Sequence, residues 1–84
     1  MEQVLRFNYN GKEYSGYLIS SFNIIPHYHW FFFHDQSIKS LVGDEIVFTE
    51  QDGKFIPVRP VLAEKHQDLY NSVQTVIEKH LRSN

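Results

Sequence analysis

Residues 26–35, PHYHWFFFHD, place three histidines, five aromatic residues and a carboxylate in ten positions. Side chains two positions apart on a strand lie on the same side, so the imidazoles of His27 and His29 would stand about 7 Å apart along the chain. Two imidazoles at that spacing can bind one zinc or another divalent ion if a third ligand approaches. The candidates for the third ligand are His34, His66 and His80.

The third ligand is best sought on a helix, because His34 has the wrong parity to join His27 and His29 on a straight strand. His66 and His80 fall near the apolar stripe of a predicted C-terminal helix. The metal hypothesis therefore names His27, His29 and His66 and describes a His-ligated metal-binding protein or a metal-dependent enzyme. The competing interpretation treats these histidines as hydrogen-bonded core or rim residues, and it is preferred, with no cofactor expected.

Nucleophilic catalysis has weaker support in the sequence. Ser20 and Ser21 are not part of the G-x-S-x-G pattern that exposes a nucleophilic serine. His34, Asp35 and Ser37 are neighbours in sequence, whereas catalytic triads usually draw their members from separate elements. We therefore expect a protein that is not an enzyme.

The strand predicted over residues 27–34 is bulky on both sides. Alternation gives one face with His27, His29, Phe31 and Phe33, and an opposite face with Tyr28, Trp30, Phe32 and His34. A strand of this kind is normally covered on both sides. The sequence offers one long helix, which can cover only one face of a sheet.

The second face therefore needs another cover. Trp and Tyr commonly anchor protein interfaces, so the first choice is a homodimer or another protein partner. A small ligand in an aromatic pocket is the alternative. The candidate interface or ligand residues are Tyr17, Tyr28, Trp30, Phe32 and His34.

The first hairpin is the clearest predicted element. Asn10-Gly11 separates two strand-like runs and suits a two-residue type I′ turn, in which both positions need a positive φ. That turn sets Phe7 opposite Tyr14 and sends Leu5, Phe7, Tyr14 and Leu18 toward the core.

A second hairpin is predicted around Gln51-Asp52-Gly53. We expect a three-residue bulged loop that opposes Glu50 to Lys54 and Phe48 to Ile56. Between the hairpins, Asp35 is expected to cap a short helix that ends at Gly43.

Residues 62–82 read as one amphipathic helix. The expected fold is a single α+β domain spanning residues 1–84. Its antiparallel sheet has about five strands, from two hairpins and a central aromatic strand, with the C-terminal helix on one face.

Composition limits the partners. Eight basic and ten acidic residues give a net charge of −2, with no basic cluster, which argues against nucleic acid as a partner. No signal-peptide pattern and no run of about 20 apolar residues appears, so we expect a soluble cytoplasmic protein that does not enter a membrane. Without cysteine, burial must come from the seven Phe, five Tyr and one Trp, and from self-association.

Overall fold

The computed structural model describes residues 3–83, which form five strands and three helices. The strands are β1 (Gln3–Tyr9), β2 (Lys12–Ser21), β3 (His27–Phe33), β4 (Glu45–Gln51) and β5 (Lys54–Pro57). The helices are α1 (Gln36–Val42), α2 (Pro60–Lys65) and α3 (Gln67–Arg82). The strands form one antiparallel sheet in chain order, and α3 packs against β1. The predicted α+β fold class is confirmed.

The first hairpin has the predicted register. Asn10 and Gly11 take φ angles of 52° and 74°, as a type I′ turn requires. Phe7 pairs with Tyr14, and Gln3 pairs with Leu18 at the far end of the ladder.

The predicted register of the second hairpin is wrong. The turn has two residues, Asp52 and Gly53, with φ angles of 55° and 79°, and Gln51 pairs with Lys54. Glu50 is therefore opposite Phe55, not Lys54, and Thr49 is opposite Ile56. This register puts the Phe55 ring against the core, where it meets Phe48 edge-to-face at 6.0 Å, and turns Ile56 to the other side of the sheet.

The short helix α1 begins and ends as predicted. Asp35 caps it by accepting a hydrogen bond from the Ser37 amide at 2.8 Å, and Gly43 follows its last residue with a φ of 89°.

The predicted single helix over residues 62–82 is wrong in one respect, because α2 and α3 are separated at His66. The backbone of His66 leaves helical geometry, with φ −123° and ψ 49°. Its amide still donates to the Leu62 carbonyl, and its carbonyl still accepts from the Tyr70 amide, so the break is a bend that keeps its hydrogen bonds. The bend lets α2 contact β5 while α3 runs along β1.

One side of the sheet, the helix side, carries the core. Phe7, Leu18, Phe31, Phe33, Ile46 and Phe48 are buried there. Buried residues of all three helices belong to the same cluster, including Ile38, Ala63 and Val73. Among residues 3–83, no helix is both long and apolar enough to cross a membrane.

The opposite side of the sheet, here called the open face, carries the alternate residues of every strand. Its central members are Tyr17, Ile19, Tyr28, Trp30, Phe32 and Val47. The helices described within residues 3–83 place their buried residues on the helix side, so the open face is bounded only by its own side chains. Alternation on β3 is therefore as predicted, with one face covered and an aromatic face that the helices of residues 3–83 leave uncovered.

Candidate functional site

The open face is organised in rows that run across the strands. Ile19 pairs with Trp30, and Trp30 pairs with Val47. The Val58 amide then donates to the Val47 carbonyl at 2.9 Å, which extends this row to the edge of the sheet. Four aliphatic side chains of the face are well exposed: Val4 (64%), Ile19 (38%), Ile56 (58%) and Val58 (47%). The result is a continuous apolar surface of the kind that marks an interaction site.

Stacked aromatic pairs form the middle of the open face. The Tyr17 and Phe32 rings stack with centroids 4.9 Å apart and planes 13° apart. Tyr28 and Trp30 stack at 5.7 Å and 20°, and His34 lies 5.9 Å from Tyr17. The five predicted interface residues therefore share one face and touch in these pairs. The four larger rings are half-buried, and His34 is exposed.

Opposite charges border this aromatic centre. Arg6 lies on β1 opposite Ser15, which is two residues before Tyr17 on β2. Glu45 lies on β4 directly opposite Phe32. Glu13 on β2 shares the Arg6 flank and Lys54 on β5 shares the Glu45 flank, so each flank of the face carries both signs of charge.

A second candidate site lies on the helix side, where β2, β3 and β4 meet. Ser20 and His29 are direct cross-strand partners, and Ser20 Oγ is 2.7 Å from His29 Nδ1. Glu50 Oε1 is 3.4 Å from His29 Nε2 and 3.2 Å from His27 Nδ1. The other carboxylate oxygen, Oε2, accepts from the Gly53 amide at 3.3 Å. One carboxylate thus joins both histidines of the HYH stretch.

His29 is fully buried between aromatic rings. Phe55 stacks on it at 5.2 Å, and Phe22 meets it edge-to-face at 5.6 Å. Burial lowers the pKa of His29 below its ordinary value of 6.5, although the hydrogen bond and charge of Glu50 act in the opposite direction. His29 is therefore neutral at pH 7.

The Glu50 carboxylate is ionised. Desolvation acts to raise the pKa of Glu50, but hydrogen bonds from His27, His29 and Gly53 outweigh it, and the pKa is lowered overall. An ionised carboxylate only accepts hydrogen bonds, so the facing Nε2 of His29 carries the ring proton. Nδ1 of the neutral ring is then an acceptor, and Ser20 donates its hydroxyl proton to it.

This cluster opens into a cavity of about 590 Å³ between the end of α3 and the sheet. Ser20, His27 and Glu50 form one wall. The rest of the lining is Gln3, Leu18, Phe22, Glu78, His80, Leu81 and Arg82. A volume of this size falls in the range of small-molecule sites.

The three histidines named for a metal do not come together. His27 and His29 share Glu50, but His66 stands at the start of α3, beside Tyr9 and Gln67. His80, near the other end of α3, is roughly 20 Å along the helix from His66 and lines the cavity with His27. In the part of the chain that the structure describes, no group of three or more His, Asp and Glu side chains is arranged to hold a metal ion. Zinc binding by these histidines stays a prediction.

Sequence reasoning did not identify Glu50 or Ser20 as members of this cluster. The wrong hairpin register made Lys54 the cross-strand partner of Glu50. Its parity with the core residues Phe48 and Ile46 was the signal that places it on the helix side. Ser20 has the same parity as Leu18, but its pairing with His29 depends on the length of the loop over residues 22–26, which no pattern specifies.

The chain was compared with protein-family models, with curated proteins and with solved structures. None of the three comparisons finds a match, so its function has to be inferred from these two surfaces alone.

Proposed function

We propose that the protein is a self-associating interaction module, in which the open face of one chain packs on the open face of a second copy. The observation that carries this is the apolar sheet side opposite the helices. Its centre is aromatic, and Val4, Ile19 and Ile56 are exposed around it. Packing two such faces about 10 Å apart is the usual way in which sheets cover one another.

The size of the open face suits a dimer. Five strands about 4.8 Å apart, with a mean length of seven residues of about 3.3 Å each, span roughly 550 Å² in flat projection. The relief of the side chains adds to the accessible area. Stable interfaces of ordinary size bury about 600–1,000 Å² on each partner. The face is thus large enough to support a modest dimer without help from the helices.

The charges at its borders favour a second copy as the occupant. A twofold axis parallel to β3, lying between two stacked faces, places β1 of one copy over β5 of the other and β2 over β4. Arg6 of one copy then approaches Glu45 of the second copy, and the symmetry repeats the contact. A partner with a uniformly charged surface would meet like charge on both flanks.

Sedimentation velocity over a micromolar concentration series tests this function. We expect a species of twice the chain mass that dissociates on dilution. Ile19→Lys puts a charge in the middle of the face and should shift dissociation to higher concentration by at least about tenfold.

Val61→Lys is the matched control, because Val61 is 79% exposed on α2, outside the open face. It should dissociate like the wild type. A monomer at every concentration, or equal effects of the two substitutions, would rule out the open face as the interface.

A further inference from the structure

Ser20, His29 and Glu50 form a hydrogen-bonded relay that self-association does not use. It lies on the helix side, at the wall of the 590 Å³ cavity. We propose that Ser20 is the nucleophile of an acyl-transfer site that takes an acyl group from a small ester, with His29 as its general base and Glu50 as the residue that positions His29.

The relay has the proton arrangement that nucleophile activation requires. Ser20 Oγ donates to His29 Nδ1 at 2.7 Å, and His29 Nε2–H points to Glu50 Oε1 at 3.4 Å. The logic is that of a serine–histidine–carboxylate triad with the two ring nitrogens exchanged. Since the members come from β2, β3 and β4, the sheet itself holds the geometry.

The histidine is held in place more firmly than its hydrogen bonds alone would achieve. Phe55 stacks on one side of the His29 ring, and Phe22 presents an edge to it. The Gly53 amide and His27 fix the carboxylate of Glu50. A base that is desolvated and fixed in one tautomer accepts a proton without first reorganising water.

The cavity defines the substrate class. Leu18, Phe22 and Leu81 supply apolar surface for a short acyl chain. Arg82 and His80 come from α3 and place hydrogen-bond donors on the other wall. Ser20 lines the space and is half-buried, whereas His29 behind it is fully buried.

The chemical step is balanced with ester and water alone. Ser20 Oγ forms a bond to the ester carbonyl carbon while its proton passes to His29 Nδ1. The bond from that carbon to the alcohol oxygen breaks, and the alcohol leaves with the proton from Nδ1. Water attacks the acyl-serine in the same way, giving carboxylic acid and free Ser20.

A second serine–histidine pair in the chain serves as a comparison for the reactivity of Ser20. Ser15 Oγ also lies 2.9 Å from a histidine nitrogen, Nδ1 of His34. That pair is on the open face, is more exposed, and no hydrogen bond joins His34 to a carboxylate among the described residues. If a Ser–His contact alone were sufficient, both serines would react alike.

Labelling with a fluorophosphonate tests the proposal. This probe traps an activated serine by forming an Oγ–P bond as fluoride leaves, and peptide mass spectrometry locates the adduct. We expect Ser20 to be labelled on the order of 100-fold faster than Ser15. Ser20→Ala should abolish the major adduct, and Ser15→Ala should leave it unchanged. Equal slow labelling of both serines, or none at Ser20, would overturn the proposal.

His29→Gln tests the base and should slow labelling on the order of 100-fold. Because a buried substitution can unfold the chain, Glu50→Gln and Glu50→Asp provide a second arm, read as the pH profile of labelling. The charged and titratable groups around His29 are Glu50 and His27 from the sheet, and Glu78, His80 and Arg82 from α3.

The labelling rate should rise with pH as His29 loses its proton. Glu50 holds a proton on His29, so Glu50→Gln should move the midpoint to lower pH and lower the plateau rate, and Glu50→Asp should restore both in part. A midpoint that stays fixed in Glu50→Gln would remove Glu50 from the relay. An unchanged labelling rate in a folded His29→Gln variant would rule out His29 as the general base.

Discussion

Tyr17 and Phe32 stack across β2 and β3 with ring centroids 4.9 Å apart, on the side of the sheet away from the helices. Each ring shields one side of the other, and the pair leaves an aromatic surface that its own chain does not use. Phe32 also has Glu45 as its cross-strand partner on β4, so one acidic side chain lies directly beside the stack. In a face-to-face dimer the stack would form part of the central contact.

The approach of Arg6 to Glu45 of the second copy leads to a charge-reversal prediction. Arg6→Glu should weaken dimerisation about three- to tenfold, because it faces Glu45 of the second copy with like charge at two symmetric places. The double variant Arg6→Glu with Glu45→Arg should restore most of the affinity. Sedimentation at low and high salt measures the dimer affinity of each variant. The difference between Arg6→Glu and the wild type should shrink at high salt, because salt screens the repulsion. Failure of the double variant to recover would contradict the twofold arrangement.

Gly16 leads to a prediction for stability. A Cβ built at Gly16 would stand 2.5 Å from Cε2 of the buried Phe31 ring, and it would also overlap the Phe32 carbonyl. Gly16→Ala should therefore lower the free energy of unfolding by about 1–3 kcal/mol or more, as overpacking does.

Gly53→Ala serves as its comparison, since a Cβ there meets nothing within 4 Å and the cost comes from the φ of 79° alone. It should cost about 1 kcal/mol, because an alanine pays a steric penalty in the left-handed region. Urea unfolding of both variants measures the difference. A smaller effect of Gly16→Ala than of Gly53→Ala would show that the packing between β2 and β3 is looser than described.

His29 makes stability depend on pH. Its folded pKa is lowered, so below about pH 6.5 the unfolded chain binds a proton that the folded chain does not. The stability contributed by neutral His29 is complete above that pH and declines as the pH falls toward the folded pKa, by at most about 1.4 kcal/mol per pH unit for one proton.

Glu50 acts in a lower window. Its folded pKa is also lowered, so its contribution is present above the ordinary carboxylate range and declines as the pH falls through the folded pKa. Urea unfolding at several pH values should show both declines, and His29→Gln should remove the upper one. Stability that rises between pH 7 and pH 5.5 would contradict the burial of a neutral His29.

The local features of the fold were predictable from the sequence. Asn10-Gly11 determines the first register because few residues tolerate a positive φ at both turn positions, and strict alternation determines the two faces of β3. The predicted register of the second hairpin was wrong because it matched Phe48 with Ile56 and so favoured a three-residue loop. The structure has a two-residue turn at Asp52-Gly53. The gain that decides the register, burial of Phe55 beside His29, is a tertiary contact.

The bend at His66 and the Ser20–His29–Glu50 relay were not predictable for a related reason. Apolar spacing continues through Leu62 and Leu69 without a break, so periodicity cannot show that α2 and α3 contact different strands. The relay needs the pairing of β3 with β4, and α1 is part of the connection between them. The exposed aromatic face, in contrast, followed from the sequence because it depends on parity alone.

The most direct test of self-association through the open face uses the emission of Trp30, which is the only tryptophan in the chain and lies at the centre of that face. Fluorescence and sedimentation are recorded on the same dilution series. We predict that Trp30 emission shifts to longer wavelength, and becomes easier to quench with acrylamide, in step with dissociation of the dimer. A dimer that dissociates with no change at Trp30, or a chain that stays monomeric throughout with Trp30 freely quenched, would contradict the account.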